Sequence, residues 1–381
     1  MRILHMALSN FYIEGYNYQE NILPRIHAQK GHQVLMIASC VSFGKDGKAC
    51  LVQPCKYHSQ DGFDVIRLPY RKPFSRTVLR RVRTYPGVYK LVEAFHPDII
   101  YFHGCSGWEI RTVARYKKAY PQVKLFADSH ADLNNSAQKG LSRYIQHQLY
   151  YRSVLRTALP QIEKILCPSL ECMDFCKELY HVPEEMLEFY PLGGTIVPPA
   201  QREEVRKRIR EKEGIGEECI VFTHSGKIDV KKRTAELIHA FEAVPQQNFR
   251  LLIIGVLMDD VKEELTRLME KDNRILYLGW EKSEELIQYL CASDVYVQPG
   301  GQSATMQNAM CSGCAVMLYP HKSHQPYVSG NGYFIRNEEE ITACLENIAE
   351  HPELLPALKR RSFEIAQNIL DYEKLADRIF Q

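Results

Sequence analysis

The 381-residue sequence lacks long apolar runs and a clear excess of charge of either sign. Because a transmembrane helix needs about 20 predominantly apolar residues in succession, we expect no membrane span. The 48 Lys and Arg residues nearly balance the 46 Asp and Glu residues, which argues against a general nucleic-acid coat. The 21 glycines and 19 prolines are too few for a fibrous or disordered chain, so we expect a globular protein.

Features of a secreted protein are also missing. The opening residues, MRILHMALSN, contain neither the apolar core nor the cleavage site of a signal peptide. The twelve cysteines are irregularly spaced, and several, such as Cys40 and Cys167, follow or lie within apolar runs, where a free thiol acts as a small hydrophobic group. We therefore expect free thiols and a cytoplasmic protein.

The sequence does contain a repeated alternation of apolar runs and helical segments. RILHMAL, VLMIAS, DVIRLPY, PDIIYFHG and VKLFADSH read as strands with helices or loops between them, and ECIVFTHSGK, FRLLIIGV and DVYVQPG continue the pattern. Such alternation predicts parallel βαβ units, and the length favours two domains. We predict an α/β fold of two doubly wound Rossmann-like domains facing a cleft, residues 1–193 and 194–363, with a C-terminal helix at about 364–381 packing back onto the first.

A turn with several cations follows the strand that ends at Thr223. Ser225 and Gly226 make the turn, and a helical stretch follows; the cations between are Lys227, Lys231, Lys232 and Arg233. A glycine turn, lysines and a helix N-terminus together suit a diphosphate, because backbone N–H groups and the helix dipole meet its oxygens. A solvated basic turn is the alternative.

A second small-residue loop follows the strand that ends at Gln298. It contains Gly300, Gly301 and Ser303 and leads into a helix through Met310. Glycine permits a ligand to approach the backbone closely and leaves amides exposed. A lone Gly-Gly loop is weak evidence, but here it is the second such loop on one predicted sheet.

Together these segments resemble the C-terminal half of the retaining glycosyltransferases of family 4, which have the two-domain GT-B fold. That family has a Gly-Arg/Lys turn with a lysine five residues on, a Glu-x7-Glu motif and an Ala-Met-Ala-x-Gly segment. This chain has Gly226, Lys227 and Lys232, then LLIIG, YLGW, ASDVYVQP and NAMCSG in the same order. The N-terminal half resembles the family more loosely.

The resemblance implies roles for single residues. Lys227 and Lys232 match the cations that hold the donor diphosphate, and Asn308 stands where a glutamate binds the nucleotide ribose. Gly301, Gln302 and Ser303 match a loop whose amides meet the donor sugar. His130 matches a histidine that contacts the sugar near the reacting carbon, and Gly15 lies in the loop that approaches the phosphate.

The chain also departs from the family pattern. Neither motif glutamate is present, because Gly300 and Asn308 occupy the two positions. The loss of a carboxylate at Gly300 removes a partner for donor hydroxyls, and Gln302 is a candidate replacement. Asn308 can still accept a hydrogen bond, although without a charge.

Residues for the acceptor are sought in the first domain. Glu14, Asn17 and Gln19 follow the first strand, and His103 ends the strand YFHG. Strand-end histidines such as His103 and His130 are more often structural than catalytic, so both interpretations stay open.

We expect neither a metal nor another cofactor. The chain contains no Asp-x-Asp, the motif that presents two carboxylates to an ion bridging a diphosphate. Cys311 and Cys314 with His321 and His324 resemble a zinc site, but the cysteines fall on a helix that runs into a glycine turn. The implied donor is a nucleotide-diphosphate sugar, a UDP-sugar above all.

Two basic and aromatic stretches predict a membrane contact. Residues 71–90 contain seven Lys or Arg residues and no acid, and residues 139–162 contain no acid either. Basic helices with apolar faces suit an anionic membrane surface, here the inner face of the cell membrane. The alternative is an amphipathic helix packed on the sheet, and no motif supports nucleic acid as a partner.

The predicted function is retaining, metal-independent glycosyltransfer from a nucleotide sugar to a glycan or polyprenyl-linked acceptor in surface polysaccharide or glycolipid assembly. Two alternatives stay open. A GT-B-fold epimerase or hydrolase would need carboxylates in the cleft, where Glu14 is the one candidate. A non-catalytic nucleotide-sugar-binding subunit would explain the loss of both motif glutamates.

Overall fold

The computed structural model describes residues 1–44, 48–71, 78, 81–137, 140 and 142–381. Contacts divide the chain into two compact units. The first is Met1–Pro191 with Ala376–Gln381, and the second is Leu192–Leu375. Only residues 376–381 of the predicted returning helix therefore belong to the first unit, whereas residues 364–375 belong to the second.

The first unit is built on one large sheet and a small two-stranded ribbon. Its strands are β1 (Arg2–Ala7), β2 (Gln33–Ser39), β3 (Val41–Phe43), β4 (Ala49–Leu51), β5 (Cys55–His58), β6 (Asp64–Leu68), β7 (Ile99–Phe102), β8 (Lys124–Asp128), β9 (Ile165–Cys167) and β10 (Leu187–Phe189). The sheet order is β10-β9-β8-β7-β1-β2-β6-β5, and β3 pairs with β4. Only β5 runs antiparallel to its neighbour in the large sheet.

Helices follow the parallel strands of this unit. They are α1 (Gln19–Gln29), α2 (Val88–Phe95), α3 (Glu109–Ala119), a π-type helix (Ser142–Tyr151) that continues as α4 (Arg152–Ala158), and α5 (Leu170–Tyr180). Short 3-10 segments lie at Leu159–Gln161, Glu184–Met186 and Arg378–Phe380. Much of the basic and aromatic stretch 139–162 thus forms a π-type helix followed by an α-helix.

The central strands are buried on both faces, which explains their continuous apolar sequences. Leu4 and Met6 of β1 lie in one core with Ile100 and Phe102 of β7 and with Leu125 of β8. Since β2 pairs on one side of β1 and β7 on the other, the strand order reverses at β1. Ligands in open α/β sheets bind outside the carboxyl ends of strands at such a reversal.

The second unit has a six-stranded, wholly parallel sheet. Its strands are β11 (Ile220–Ile228), β12 (Phe249–Leu257), β13 (Ile275–Gly279), β14 (Val295–Gln298), β15 (Ala315–Leu318) and β16 (Gly332–Phe334). Their order is β13-β12-β11-β14-β15-β16, so the reversal lies at β11. Phe222, Leu251 and Val297 from three neighbouring strands share the core.

The helices of this part of the chain are α6 (Pro199–Glu213), α7 (Thr234–Ala243), α8 (Lys262–Met269), α9 (Ser283–Ala292), α10 (Thr305–Cys311), α11 (Glu338–Glu350), α12 (Leu355–Ile369) and α13 (Tyr372–Asp377), with 3-10 segments at Val230–Lys232, Lys322–Tyr327 and Pro352–Leu354. The predicted α/β fold with parallel sheets is confirmed. Over the described ranges, every helix is too short or too polar to cross a bilayer.

Candidate functional site

The carboxyl end of β11 is held against β12 by a close contact between two glycines. Gly226 and Gly255 are paired in the sheet register. A Cβ atom on Gly255 would lie 1.8 Å from the carbonyl oxygen of Gly226. Both residues have positive φ, 145° at Gly255 and 128° at Gly226. Only glycine satisfies both conditions, so this pair keeps the end of β11 free of side chains.

Lys232 lies over this glycine. The short turn Val230–Lys232 begins at Asp229, whose carboxylate accepts a hydrogen bond from the backbone N–H of Lys231 at 3.1 Å. A Cβ on Gly226 would lie 3.4 Å from Nζ of Lys232, and the side chain of Lys232 is only 7% exposed. Burial lowers the pKa of Lys232, although the charge of Asp229 opposes that shift.

The loop after β14 meets the same lysine. A Cβ on Gly301 would lie 3.6 Å from Cδ of Lys232, and one on Gly300 would lie 2.4 Å from the carbonyl oxygen of Lys231. The buried side chain of Gln298 holds this loop, since its Nε2 donates to the carbonyl of Gly301 at 2.8 Å. The Oγ of Ser303 donates to Oγ1 of Thr305 at 3.1 Å, where α10 begins. The structure thus brings Gly226, Lys232, Gly300, Gly301 and Ser303 together.

Three other predicted donor residues are placed differently. Lys227 is exposed at the end of β11. Gln302 is also exposed and donates to Oγ of Ser323 at 2.8 Å. Asn308 is half-buried on α10, with its Oδ1 3.0 Å from the position that a Cβ on Gly194 would take.

The guanidinium of Arg233 forms hydrogen bonds within the protein that connect the turn after β11 with the loop after β14. Its Nε donates to Oε1 of Glu236 at 2.6 Å, and its Nη1 donates to the carbonyl of Pro299 at 3.3 Å. Its guanidinium also lies 5.6 Å from the centre of the Tyr319 ring. Arg233 therefore connects the turn after β11 to the loop after β14, a role that its place in a basic run did not indicate.

In the first unit, His130 and Asp128 lie at the carboxyl end of β8. The Nε2 of His130 is 3.8 Å from Oδ1 of Asp128, and the side chain of His130 is 27% exposed. Burial alone would lower the pKa of His130, but the Asp128 carboxylate outweighs it and raises the pKa to about 9. Although burial opposes ionisation of Asp128, the charge of His130 and a hydrogen bond from His103 hold its pKa well below the usual range.

His103 is enclosed in the structure, contrary to its predicted acceptor role. Its side chain has no exposed surface, its Nδ1 lies 2.9 Å from Oδ2 of Asp128, and its Nε2 lies 3.0 Å from Nδ1 of His5. The backbone N–H of the next residue, Gly104, donates to Oδ1 of the same carboxylate at 2.6 Å. His103 therefore contacts Asp128 rather than the surface.

The loop between β1 and α1 carries the other predicted first-unit residues. Glu14, Gly15 and Asn17 are exposed, and Gly15 has a φ of 79°. Gln19 is buried and donates to the carbonyl of Pro191 at 3.0 Å. Gln19 therefore anchors α1, and the exposed Glu14 forms a side-chain hydrogen bond with Tyr57.

A polar cavity of about 150 Å³ lies beside His130. Its lining includes Ser9, Asn10, Arg83, Ser106 and Ser136. Arg83 donates through Nη1 to the carbonyl of Ser9 at 2.6 Å and to Oγ of Ser106 at 2.9 Å. These serines were not predicted from the sequence, in which Arg83 is one of the seven cations of the stretch 71–90. The available signal was the run of small polar residues after β1 and β7.

The basic and aromatic stretches separate into buried and exposed faces. Tyr151 and Leu155 are buried, whereas Tyr144, Ile145 and Leu149 are 58%, 52% and 49% exposed. Arg143 and Arg156 are exposed as well. Within the predicted stretches, residues 72–77, 79–80, 139 and 141 lie outside the described residues. The remaining part of 139–162 thus both packs on the core and presents an apolar strip with basic neighbours.

The cysteines of the CSGC segment are enclosed in the second unit. Cys311 and Cys314 are both buried, and Sγ of Cys314 donates to the carbonyl of Leu290 at 3.1 Å. Among the described side chains, no group of three or more His, Cys, Asp or Glu residues is arranged to hold a metal ion.

Comparison with known proteins finds a family match for the second unit and solved structures with the fold of the whole chain. Residues 205–363 match the family model described as glycosyl transferases group 1. The chain is 22% identical over 275 residues to an Escherichia coli enzyme, UDP-Gal:alpha-D-GlcNAc-diphosphoundecaprenol alpha-1,3-galactosyltransferase. That match covers 69% of this chain and 66% of the enzyme, just under two thirds of its length.

Solved structures of the same fold match the whole chain. HepE of Anabaena, solved in complex with UDP, has a TM-score of 0.67 at 15% identity, covering 100% of this chain and 98% of that one. WaaG, a glycosyltransferase involved in lipopolysaccharide biosynthesis, has a TM-score of 0.60 at 17% identity, covering 100% and 99%. The chain has the GT-B glycosyltransferase fold, as predicted.

The second unit carries a glycosyltransferase group 1 domain, and the whole chain shares the GT-B fold with solved glycosyltransferases. Its lysine and glycine cluster lies at the carboxyl ends of β11 and β14 inside the matched residues. Assignment to family 4 and retention of configuration stay predictions.

Proposed function

We propose that this chain transfers a sugar from a nucleotide-diphosphate sugar, a UDP-sugar above all, to a glycan or polyprenyl-linked acceptor with retention of configuration. The observation that carries the proposal is the cluster of Gly226, Lys232, Gly301 and Ser303 at two adjacent loops of one parallel sheet. HepE was solved with UDP, and the Escherichia coli relative is named for a UDP-Gal donor and a diphosphoundecaprenol-linked acceptor. Surface polysaccharide or glycolipid assembly is the setting that these similarities favour.

In this proposal the lysine and the loop amides bind the diphosphate. Lys232 supplies a compact cation that is already desolvated, and Gly300 and Gly301 let phosphate oxygens approach the backbone. Charge that develops on the leaving diphosphate is stabilised by this preorganised site. We assign no divalent ion to the reaction, since Lys232 provides the positive charge that such an ion would supply.

The transfer exchanges one bond at the anomeric carbon and moves one proton. The acceptor hydroxyl oxygen bonds to the anomeric carbon, the bond from that carbon to the diphosphate oxygen breaks, and the hydroxyl proton passes to the departing diphosphate. Attack on the face that the diphosphate leaves retains the configuration. His130 is the candidate contact to the transferred sugar, and its pKa of about 9 keeps it a cationic donor at neutral pH.

The acceptor is assigned to the first unit. Glu14, Gly15 and Asn17 are exposed beside β1, and the cavity next to His130 offers serine hydroxyls. The apolar strip of Tyr144, Ile145 and Leu149 with Arg143 supports a peripheral contact with an anionic membrane, which is where a polyprenyl-linked acceptor resides.

The decisive experiment uses two matched variants in one turn. Lys232→Ala removes the buried lysine, and Lys231→Ala removes its exposed neighbour with the same change in charge. We expect Lys232→Ala to weaken UDP binding at least about tenfold, or roughly 1.4 kcal/mol, in isothermal titration, and Lys231→Ala to bind like the wild type. Equal binding by all three proteins would refute the diphosphate site.

Activity is then tested with a panel of UDP-sugars and a polyprenyl-diphosphate-linked sugar acceptor, with and without EDTA. Transfer that survives EDTA and gives a product with the donor's anomeric configuration by NMR supports the proposal. Donor hydrolysis or epimerisation without transfer would favour the epimerase or hydrolase. Binding without turnover of any donor would favour a non-catalytic subunit.

A further inference from the structure

Three histidines form an unbroken hydrogen-bonded chain inside the first unit. It starts at Asp128, whose Oδ2 lies 2.9 Å from Nδ1 of His103. The Nε2 of His103 is 3.0 Å from Nδ1 of His5, and the Nε2 of His5 is 2.9 Å from Nδ1 of His27. The chain ends at the carbonyl oxygen of Ala376, 2.9 Å from Nε2 of His27.

The hydrogen-bonded chain of three histidines and Asp128 is enclosed by the rest of the protein. His5, His27 and His103 have no exposed surface, and Asp128 is 1% exposed. The ring of Tyr101 packs 4.5 Å from His103 and 5.5 Å from His5, centre to centre. Water therefore does not complete these hydrogen bonds, and each must be formed by a proton that the chain itself carries.

The hydrogen bonds of the histidine chain require one more N–H proton than three neutral histidines have. Its two ends, the Asp128 carboxylate and the Ala376 carbonyl, both accept hydrogen bonds. Four hydrogen bonds between two acceptors and three imidazoles need four N–H protons, whereas three neutral imidazoles have three. One imidazole must therefore be doubly protonated, or the carboxyl must carry the proton.

The extra proton is expected at His103. Burial, followed by the charges of His27 and His103, lowers the pKa of His5 well below its usual value. Burial also lowers the pKa of His27 to about 4, although its hydrogen bond to Ala376 opposes the shift. Of the three histidines in this hydrogen-bonded chain, His103 is the one that contacts the carboxylate of Asp128, the natural counter-ion of an imidazolium.

We propose that His103, His5 and His27 are positioning residues that hold one buried proton beside Asp128. Through this proton, the hydrogen bond between His27 and the carbonyl of Ala376 affects how strongly the Asp128 carboxylate stabilises the charge of His130. The chain fixes Oδ2 of Asp128, so that Oδ1 faces His130 at 3.8 Å. Two imidazoles, His103 and His130, thus share one carboxylate. This inference rests on the proposed role of His130, but the proton itself does not depend on any activity.

The coupling follows from the same count. Without the acceptor at Ala376 or the link through His27, the remaining bonds need no extra proton, because each neutral histidine can donate one proton toward Asp128. His103 would then be neutral and donate through Nδ1, and Asp128 would have His130 as its one imidazolium partner. His130 would hold its proton to higher pH.

Other groups face the chain and must be considered in its titration. His32 and Phe380 pack against His27, with ring centres 6.4 Å and 5.6 Å away. Further charged or titratable neighbours of these histidines, of Tyr101 and of His130 are Lys30, Asp377, Glu20, Cys105, Tyr190 and Arg378, and Arg83 and Tyr180 line the cavity beside His130. Lys30 and Asp377 pair with each other at 2.6 Å, so their charges largely offset one another near His27.

Imidazole nitrogen NMR on the full chain labelled with 15N-histidine tests the proposal. In the wild type at pH 7 we expect both nitrogens of His103 protonated, and His5 and His27 neutral with the proton on Nε2. His27→Gln should leave this pattern intact, because an amide oxygen can accept from His5 while its NH2 donates to Ala376. His27→Leu should convert His103 to the neutral form protonated at Nδ1.

The functional arm measures the alkaline limb of the pH profile of sugar transfer. We expect His27→Leu to move that limb upward by about one pH unit, and His27→Gln to leave it in place. If His27→Leu does not fold, His27→Met makes the same break with a bulkier side chain.

A neutral His103 in the wild type would overturn the proposal, and so would an unchanged His103 in a folded His27→Leu or His27→Met protein. If the 15N chemical shifts of the variants change as expected but the alkaline limb of the transfer profile does not move, the coupling to His130 is refuted. If no sugar is transferred at all, the NMR result still stands, and it is the proposed function that fails.

Discussion

The Nζ of Lys232 lies 3.4 Å from the position that a Cβ on Gly226 would occupy. The lysine comes from the turn after β11 and the glycine from the strand itself, so chain segments six residues apart enclose a small space beside a cation. In the proposed function a phosphate oxygen takes that space. A substitution of Gly226 therefore tests the proposed diphosphate site as directly as a substitution of Lys232.

Gly226→Ala should weaken UDP binding about tenfold. The new methyl would fill the space beside Nζ, and a φ of 128° strains any side-chain-bearing residue by about 1 kcal/mol. The control is Gly330→Ala, since Gly330 also has positive φ but open space around its Cβ position. Calorimetry should show similar thermal destabilisation for both variants and loss of UDP affinity for the first alone.

Asp128→Asn should shift the protonation of His130 downward. The carboxylate is what holds the pKa of His130 at about 9 against the effect of burial. Without it we expect a fall of about two pH units, and the alkaline limb of the transfer profile should fall with it. Asp64→Asn serves as the control because that carboxylate is exposed. An unmoved profile in Asp128→Asn would show that His130 does not govern that limb.

Acid should destabilise the second unit through His224. This buried histidine lies between the carbonyl of Val297 and the hydroxyl of Thr234, and burial lowers its pKa to about 4. The unfolded chain takes up the proton near pH 6.5, so the free energy of unfolding falls as pH drops from about 6.5 to 4, by about 1.4 kcal/mol per pH unit. Urea unfolding at pH 7, 6 and 5 should show a smaller pH slope for His224→Gln.

Binding to anionic vesicles should depend on the exposed strip of the π-type helix. Ile145→Ser combined with Leu149→Ser removes two apolar side chains that are about half exposed. Each buried methylene contributes about 0.8 kcal/mol to transfer from water, so we expect binding to fall by more than tenfold. Leu354→Ser, on a similarly exposed leucine of the second unit, is the control in vesicle flotation. Equal flotation of both variants would count against a membrane contact at this strip.

Much of the fold could be predicted because buried parallel strands have an unmistakable sequence pattern. VLMIAS and LLIIG are apolar on both faces, and the glycines at positions 226 and 301 lie where the loops are tight. The proximity of Lys232 to Gly226 could also be predicted, since the two residues are only six positions apart in the sequence.

The parts that failed depend on contacts between distant residues. The sequence left His103 open as an acceptor contact or a structural residue, and only its contact with Asp128, 25 positions later, shows that it is enclosed. Arg233 appeared to be one more cation of a basic run, and only the carbonyl of Pro299 shows that it holds a loop. A local sequence pattern does not predict contacts between residues that are far apart in the sequence.

The last residues of the chain complete the first unit. The carbonyl of Ala376 accepts from His27, 349 positions earlier, and the carbonyl of Phe380 accepts from Nζ of Lys124 at 3.1 Å. During synthesis on the ribosome, the first unit therefore waits for the entire second unit before its final hydrogen bonds can form. The unit that is made first is therefore completed last, and His27 finds the acceptor for its Nε2 only after residue 376 has been synthesised.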